Sequence, residues 1–189
     1  MFQAKIQERI QLIQKTLVES EGECFRLTEK GEGKADLRIH AHGQCILIRN
    51  LETNKPDYFV NKKCADYVLF ENTDDGWKAH IFELKRTVKA DVWETEIKKQ
   101  FQGAMQNILA LAGVLGIEIK DIMLHTAYRN DKVNDMVNPV KQHLAMHYPN
   151  KSRTDWNKEE IALDFLNLIS FRHDKIKLDI ATGEGEYSL

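Results

Sequence analysis

Asp66, Glu83 and Lys85 are the residues of this sequence whose types and spacing could do chemistry together. The triplet Glu-x-Lys occurs at Glu32/Lys34, Glu83/Lys85, Glu96/Lys98 and Glu118/Lys120, so an isolated copy describes only a Lys- and Glu-rich chain and reads as a solvated ion pair. Only Glu83-Leu84-Lys85 ends an apolar run that follows, across the turn-forming segment Asn72-Thr73-Asp74-Asp75-Gly76, a second apolar run carrying an acid. Two carboxylates brought close together repel, and a hard, oxygen-seeking cation such as Mg2+ or Mn2+ relieves that repulsion. Such an ion draws charge from a phosphate oxygen and makes bound water a better nucleophile near neutral pH, which is the chemistry of phosphodiester hydrolysis. A lysine beside it would orient or deprotonate that water, or offset charge in the pentavalent transition state.

For these side chains to meet, residues 64–70 and 78–85 must be strands of one hairpin. Strand alternation then puts Glu83 and Lys85 on one face with Ala79 and Ile81, and Phe82 and Leu84 on the other. A two-residue loop at Asp74-Asp75 places Asp66 opposite Glu83. A loop at Asp75-Gly76, the better type I′ sequence, places it opposite Lys85. Both registers keep all three on one face, with directly opposed Cβ atoms ~4.5–5.5 Å apart, whereas a three-residue loop would reverse the parity.

Other elements must support that hairpin. Ile6, Ile10, Ile13 and Leu17 recur at helical spacing and predict an amphipathic helix over 2–19. Runs 37–41, 44–49 and 64–70 predict strands of an antiparallel meander. Trp93, Ile97, Phe101, Ala104, Ile108, Leu111 and Leu115 predict a helix over 92–115, capped by Gly116. Residues 117–128 return to strand character, where a crossover places them parallel to an earlier strand. Residues 129–156 read as irregular, with a short helix near His143. Asn157 with Glu160 reads as a capping box ahead of Ile161, Leu163, Phe165, Leu166 and Ile169, and Ile176, Leu178 and Ile180 as a final strand.

Asp66 followed by Glu83-Leu84-Lys85 at the end of the next strand, within an α-β-β-β-α-β order, resembles the PD-(D/E)XK nuclease superfamily over roughly residues 1–128. The resemblance implies an α/β, restriction-endonuclease-like core, its mixed central sheet flanked by helices, with residues 129–189 as a C-terminal α/β extension of a single domain over 1–189. It assigns Asp66, Glu83 and the backbone carbonyl of Leu84 to Mg2+ or Mn2+, and Lys85 to catalysis. Many members carry a Gln near the site on the following helix; here Gln100 lies on the apolar stripe, with Glu96 and Asn107 close to the same azimuth. Ala65 stands where the motif has Pro. Glu8 and Glu19 fall opposite the first helix's stripe, which leaves Glu21 as the nearest first-helix acid. The implied activity is a metal-dependent endonuclease acting on DNA in preference to RNA, in defence, restriction or repair. The alternative is a catalytically silent module of the same fold that binds nucleic acid or a partner protein.

Composition sets the frame. The chain has 189 residues and 42% hydrophobic content, enough for one sizeable core, and 27 basic against 29 acidic residues, so any nucleic-acid surface is a local patch. Lys62, Lys63, Lys85, Arg86, Lys89, Lys98 and Lys99 supply such a patch around the proposed site, and Trp93 either stacks on a base or joins the core. No stretch reads as membrane-spanning or as an export signal. The widely spaced Cys24, Cys45 and Cys64 fit reduced thiols in a cytoplasm. His40 and His42 share a strand face but have no evident third ligand and read as alternating exposed histidines, and His143/His147, spaced like a helical zinc pair, lack the Glu of HExxH. Without a separate recognition domain, specificity would come from residues 129–189, from a homodimer or from a partner protein.

Overall fold

The computed structural model describes residues 4–13, 18–20, 23–29, 35–49, 51, 61, 63–133, 155–165 and 168–189. The chain is mixed α/β. Its elements run α1 (Ala4–Ile10), β1 (Val18–Ser20), β2 (Cys24–Glu29), β3 (Ala35–His40), β4 (Gln44–Arg49), β5 (Tyr67–Thr73) and β6 (Gly76–Lys89). They continue with α2 (Ala90–Val92), a π-helical turn (Trp93–Ile97), α3 (Lys98–Leu115), β7 (Ile119–Lys132), β8 (Glu160–Asp164), β9 (Leu168–Lys177) and β10 (Glu184–Ser188). Seven strands form one sheet in the order β1-β4-β5-β6-β7-β9-β8, and three form a second in the order β10-β3-β2. In the large sheet β6, β7 and β9 are parallel, and the other pairs are antiparallel.

Alternation along the central strands feeds two apolar layers. Ile46, Ile48, Val68, Phe70, Ala79, Ile81 and Leu124 pack with Ile6 of α1 and with Phe101, Ala104 and Ile108 of α3. From the opposite face Cys45, Leu47, Leu69, Phe82, Leu84 and Ala127 meet Phe25, Leu27, Leu37 and Ile39 of the small sheet. Strand β6 is therefore covered on both sides, and all residues from Ala79 to Leu84 are buried. Such a strand is normally a continuous apolar run, so His80 and Glu83 within it stand out.

Gly116 ends α3 in the left-handed conformation, φ 67°, as its position past the last apolar residue predicts. At the other end, Lys98 N–H bonds to Trp93 O across one residue more than an α-turn, so the stripe that begins at Trp93 is carried through a π-turn before α3 proper.

Several expectations are corrected. The first helix stops at Ile10, and Val18–Ser20 pairs with β4, because the edge of a sheet offers this segment a hydrogen-bonding partner that outweighs helix propensity. Leu17 lies outside the described residues. Strand β3 leaves the expected meander, which is β4-β5-β6, to pair with β2 and β10. Asn157/Glu160 opens no helix; Ile161 and Leu163 are buried with period two, as β8. Helices do not flank both faces of the large sheet: α1 and α3 pack on one face, and the small sheet covers the other. The C-terminal stretch supplies strands to both sheets, since β9 inserts between β7 and β8 and β10 runs parallel to β3. Among the described residues no helix is long and apolar enough to cross a membrane.

Candidate active site

The β5–β6 hairpin closes with Thr73 opposite Gly76, which makes Asp74-Asp75 the two-residue loop. Its ladder ends at Tyr67 opposite Phe82, so one further step of the same register sets Asp66 against Glu83. Asp66 extends the pairing with its side chain: its Oδ2 accepts a hydrogen bond from Leu84 N–H at 2.8 Å, just past the last strand pair. Glu83 is fully buried, and Lys85 Nζ lies 2.7 Å from its Oε1. Leu84, whose carbonyl is the expected further ligand, follows Glu83 in the chain and is tied to Asp66 through its N–H.

Helix α3 fixes the approach to Asp66. Asn61 Nδ2 donates to Lys99 O at 2.8 Å and Asn61 Oδ1 accepts from Lys63 N–H at 3.0 Å, while Lys63 Nζ donates to Thr95 O at 2.9 Å. Asn107 Nδ2 reaches Cys64 Sγ at 3.6 Å and Gly103 O at 2.9 Å. Gly103 is required by closeness: a Cβ there would lie 1.7 Å from Lys63 O. Asn107 is thus a strut and not a site group, and Glu96 is exposed. Gln100 is buried as expected, but its Oε1 accepts no hydrogen bond and it makes none to Asp66, Glu83 or Lys85. Trp93 is fully buried, edge-on to Trp156 at 5.0 Å, and belongs to the core.

Charge converges on Lys85. Burial opposes its ammonium, but Glu83 by attraction and hydrogen bond, and Asp66 and Glu29 by attraction, more than offset this and raise its pKa. Glu29, at the end of β2, was not singled out from the sequence because Cys24–Glu29 carries too much polarity to read as a strand. Burial and then Asp66 raise its carboxyl pKa, and Lys85 pulls it back. Thr28 holds that strand end in place, its N–H donating to Tyr67 Oη and its carbonyl accepting from the same hydroxyl.

The register continues the site across the sheet, since Glu83 pairs with Thr126 and Thr126 with Lys175. Thr126 Oγ1 lies 2.9 Å from His173 Nε2, and both residues are buried. Neither is expected from the sequence: Thr126 is one polar residue within the strand expected over 117–128, and His173 precedes Ile176, where the final strand is expected to begin. Of the expected basic patch, Lys98 is held by Glu94 and Asp155, Lys63 by Thr95, while Arg86, Lys89 and Lys99 are exposed. Glu21, Lys62, His143 and His147 lie outside the described residues, and nothing is described of the Glu19 side chain.

On the opposite face a second polar chain crosses the seam between the sheets. Glu71 Oε2 lies 3.4 Å from His80 Nε2, His80 Nδ1 lies 3.1 Å from His125 Nε2, His125 Nδ1 lies 3.8 Å from Asp174 Oδ2, and Tyr187 Oη donates to that oxygen at 2.6 Å. His40 lies 3.9 Å from Glu186. Among the described residues no three His, Cys, Asp or Glu side chains are gathered as a metal-holding group. The residues expected from the sequence to hold an ion, Asp66, Glu83 and the carbonyl of Leu84, would offer it hard oxygen donors of the kind Mg2+ or Mn2+ takes. Comparison with protein-family models, with curated proteins and with solved structures gives no match to this chain.

Proposed function

We propose that this chain is a Mg2+- or Mn2+-dependent nuclease of the PD-(D/E)XK type, acting on DNA in preference to RNA. One observation carries the reading: the hairpin ladder ends at Tyr67 opposite Phe82, one step short of Asp66 and Glu83, with the Asp66 carboxylate on the N–H of Leu84 and Lys85 beside Glu83. The succession β4-β5-β6, α3, β7 supports a restriction-endonuclease-like core, with β7 parallel to β6.

Asp66 and Glu83, with the carbonyl of Leu84, are the residues that would hold the ion. When bound, it supplies Lewis acidity to a phosphate oxygen and a more acidic water. Asp66 couples the site to the backbone. Glu83 supplies a carboxylate that burial keeps from hydration, and Lys85 supplies a fixed positive charge beside the phosphate. Gln100 takes the auxiliary polar position on α3. Cys24, Cys45 and Cys64 are in no disulfide among the described residues, which favours a cytoplasmic setting. Substrate selection would fall to residues 129–189, a homodimer or a partner protein, in defence, restriction or repair.

A silent nucleic-acid- or protein-binding module of the same fold is the second reading. It is favoured by the 2.7 Å ion pair, in which the Lys85 ammonium offsets the Glu83 charge. Calorimetric titration of Mn2+ into wild type and Glu83→Ala, with plasmid nicking and RNA cleavage in parallel, separates the two. Binding and cleavage that both vanish in Glu83→Ala support the nuclease, and a wild type that takes up no Mn2+ sinks it.

A further inference from the structure

Strands β6, β7 and β9 run parallel, so their C-terminal ends share one edge of the sheet, where ligands of open α/β sheets bind. Two cross-strand rows lie there. One runs Glu83, Thr126, Lys175 and the next Lys85, Tyr128, Lys177. The facing of β9 is fixed by its neighbours. His173 bonds to Thr126 and packs against Trp93 and Phe101, so 173, 175 and 177 face the helix side with Glu83 and Lys85. Asp174 and Ile176 face the small sheet, through Tyr187 and the second apolar layer.

Lys175 and Lys177 are both exposed, and among the described residues neither has a carboxylate within ion-pair distance. Nearby acids are already engaged: Asp155 is held by Lys98, and Asp131 accepts from Trp156 Nε1 at 2.9 Å. Trp156, fully buried, props Lys175 from below, with Nζ 5.3 Å from the ring centroid, and Tyr128 stands edge-on to the same indole. Two cations on a supported strand, in line with the buried acid and its lysine, form a track for a polyanion.

We infer that Lys175 and Lys177 are the phosphate-backbone contacts of the site, receiving the DNA on the β9 side of Glu83. This rests on the nuclease reading above. Lys85 serves the reacting phosphate, while the β9 pair holds flanking phosphates and sets the register of the strand without reading bases.

The test is binding of a fluorescein-labelled DNA duplex by anisotropy across a KCl series, in EDTA so that nothing is cut. Wild type is compared with Lys175→Ala/Lys177→Ala, with Lys175→Arg/Lys177→Arg, and with Lys5→Ala/Lys120→Ala as a charge-matched control away from β9. Two lost phosphate contacts lower the slope of log K against log salt by about 1.8 and weaken binding by about tenfold at moderate salt. The arginine pair and the control keep the wild-type slope. Thermal melts establish that each variant is folded. If the alanine pair matches the control while wild type binds and, with Mn2+, cuts the duplex, this inference falls alone. If wild type neither binds nor cuts the duplex, both readings fall; with an RNA duplex of the same sequence incubated with Mn2+ in parallel, cutting of the RNA alone overturns the choice of DNA.

Discussion

His80 Nδ1 and His125 Nε2 stand 3.1 Å apart in the buried seam between the two sheets, so one ring donates to the other and the two cannot be exchanged for apolar residues independently. Replacing His80 by Phe removes the partner of His125 and leaves the Glu71 carboxylate, also buried, facing an apolar ring. An orphaned buried polar group costs about 1–3 kcal/mol, and removing both members of a pair costs less than removing one. Urea unfolding of His80→Phe should show a loss of that size, and Glu71→Leu/His80→Phe should recover part of it. A double variant less stable than the single would remove the seam from the list of polar supports.

Acid should weaken the fold through histidines that are held neutral. Burial first, then Lys175, brings His173 down to about 3, and burial with His80 and His173 holds His125 well below its ordinary value. The unfolded chain takes up these protons below about pH 6.5 while the folded chain does not. Stability is therefore full above that pH and declines below it, by up to about 1.4 kcal/mol per pH unit for each histidine, and for His173 the decline continues toward 3. Urea midpoints measured from pH 7.5 to 5 should fall less steeply in His173→Phe. An unchanged slope would mean that His173 carries a proton in the fold.

Asp66 has two separable jobs. Asn at that position still offers an acceptor to Leu84 N–H but no charge, whereas Ala offers neither. Asp66→Ala should be less stable than Asp66→Asn by about 1 kcal/mol, while both lose Mn2+ binding in calorimetry. Retained Mn2+ affinity in Asp66→Asn would take the carboxylate out of the ion's coordination.

Gly103 transmits helix position to the site. Its Cβ-free surface receives Lys63 O, so Gly103→Ala must push the 63–66 segment away from α3 and carry Asp66 with it. A stability loss of about 1–3 kcal/mol is expected, as for overpacked cores, with nicking activity falling further than the unfolded fraction accounts for. Gly113→Ala, where a Cβ meets nothing within 4 Å, is the matched control: it should gain up to about 1 kcal/mol from helix propensity and leave nicking unchanged.

What could be read from the residues was local. Gln44–Arg49, the β5–β6 hairpin and the long helix ending at Gly116 carry strong periodicity and turn chemistry, and the Asp74-Asp75 register was one of two the loop allowed. What stayed hidden depends on partners far along the chain. Val18–Ser20 is a strand because β4 has an open edge, Glu160–Asp164 because β9 does, and Glu29 joins the site because Thr28 is tied to Tyr67. Lys175 aligns with Glu83 only through β7, a relation between three strands that no spacing within one segment encodes.

The pairing of β3 with β10 sets a timetable. Leu37 stands beside Gly185 and Ile39 beside Tyr187, a parallel ladder between the beginning and the far end of the sequence. During synthesis that edge of β3 stays open until the ribosome has released Ser188, and long-range parallel pairing is slow to form even then. The small sheet, and the Asp174–Tyr187 contact with it, should close last, so an early chain presents β2 and β3 as a bare hairpin that a chaperone or another nascent copy could capture.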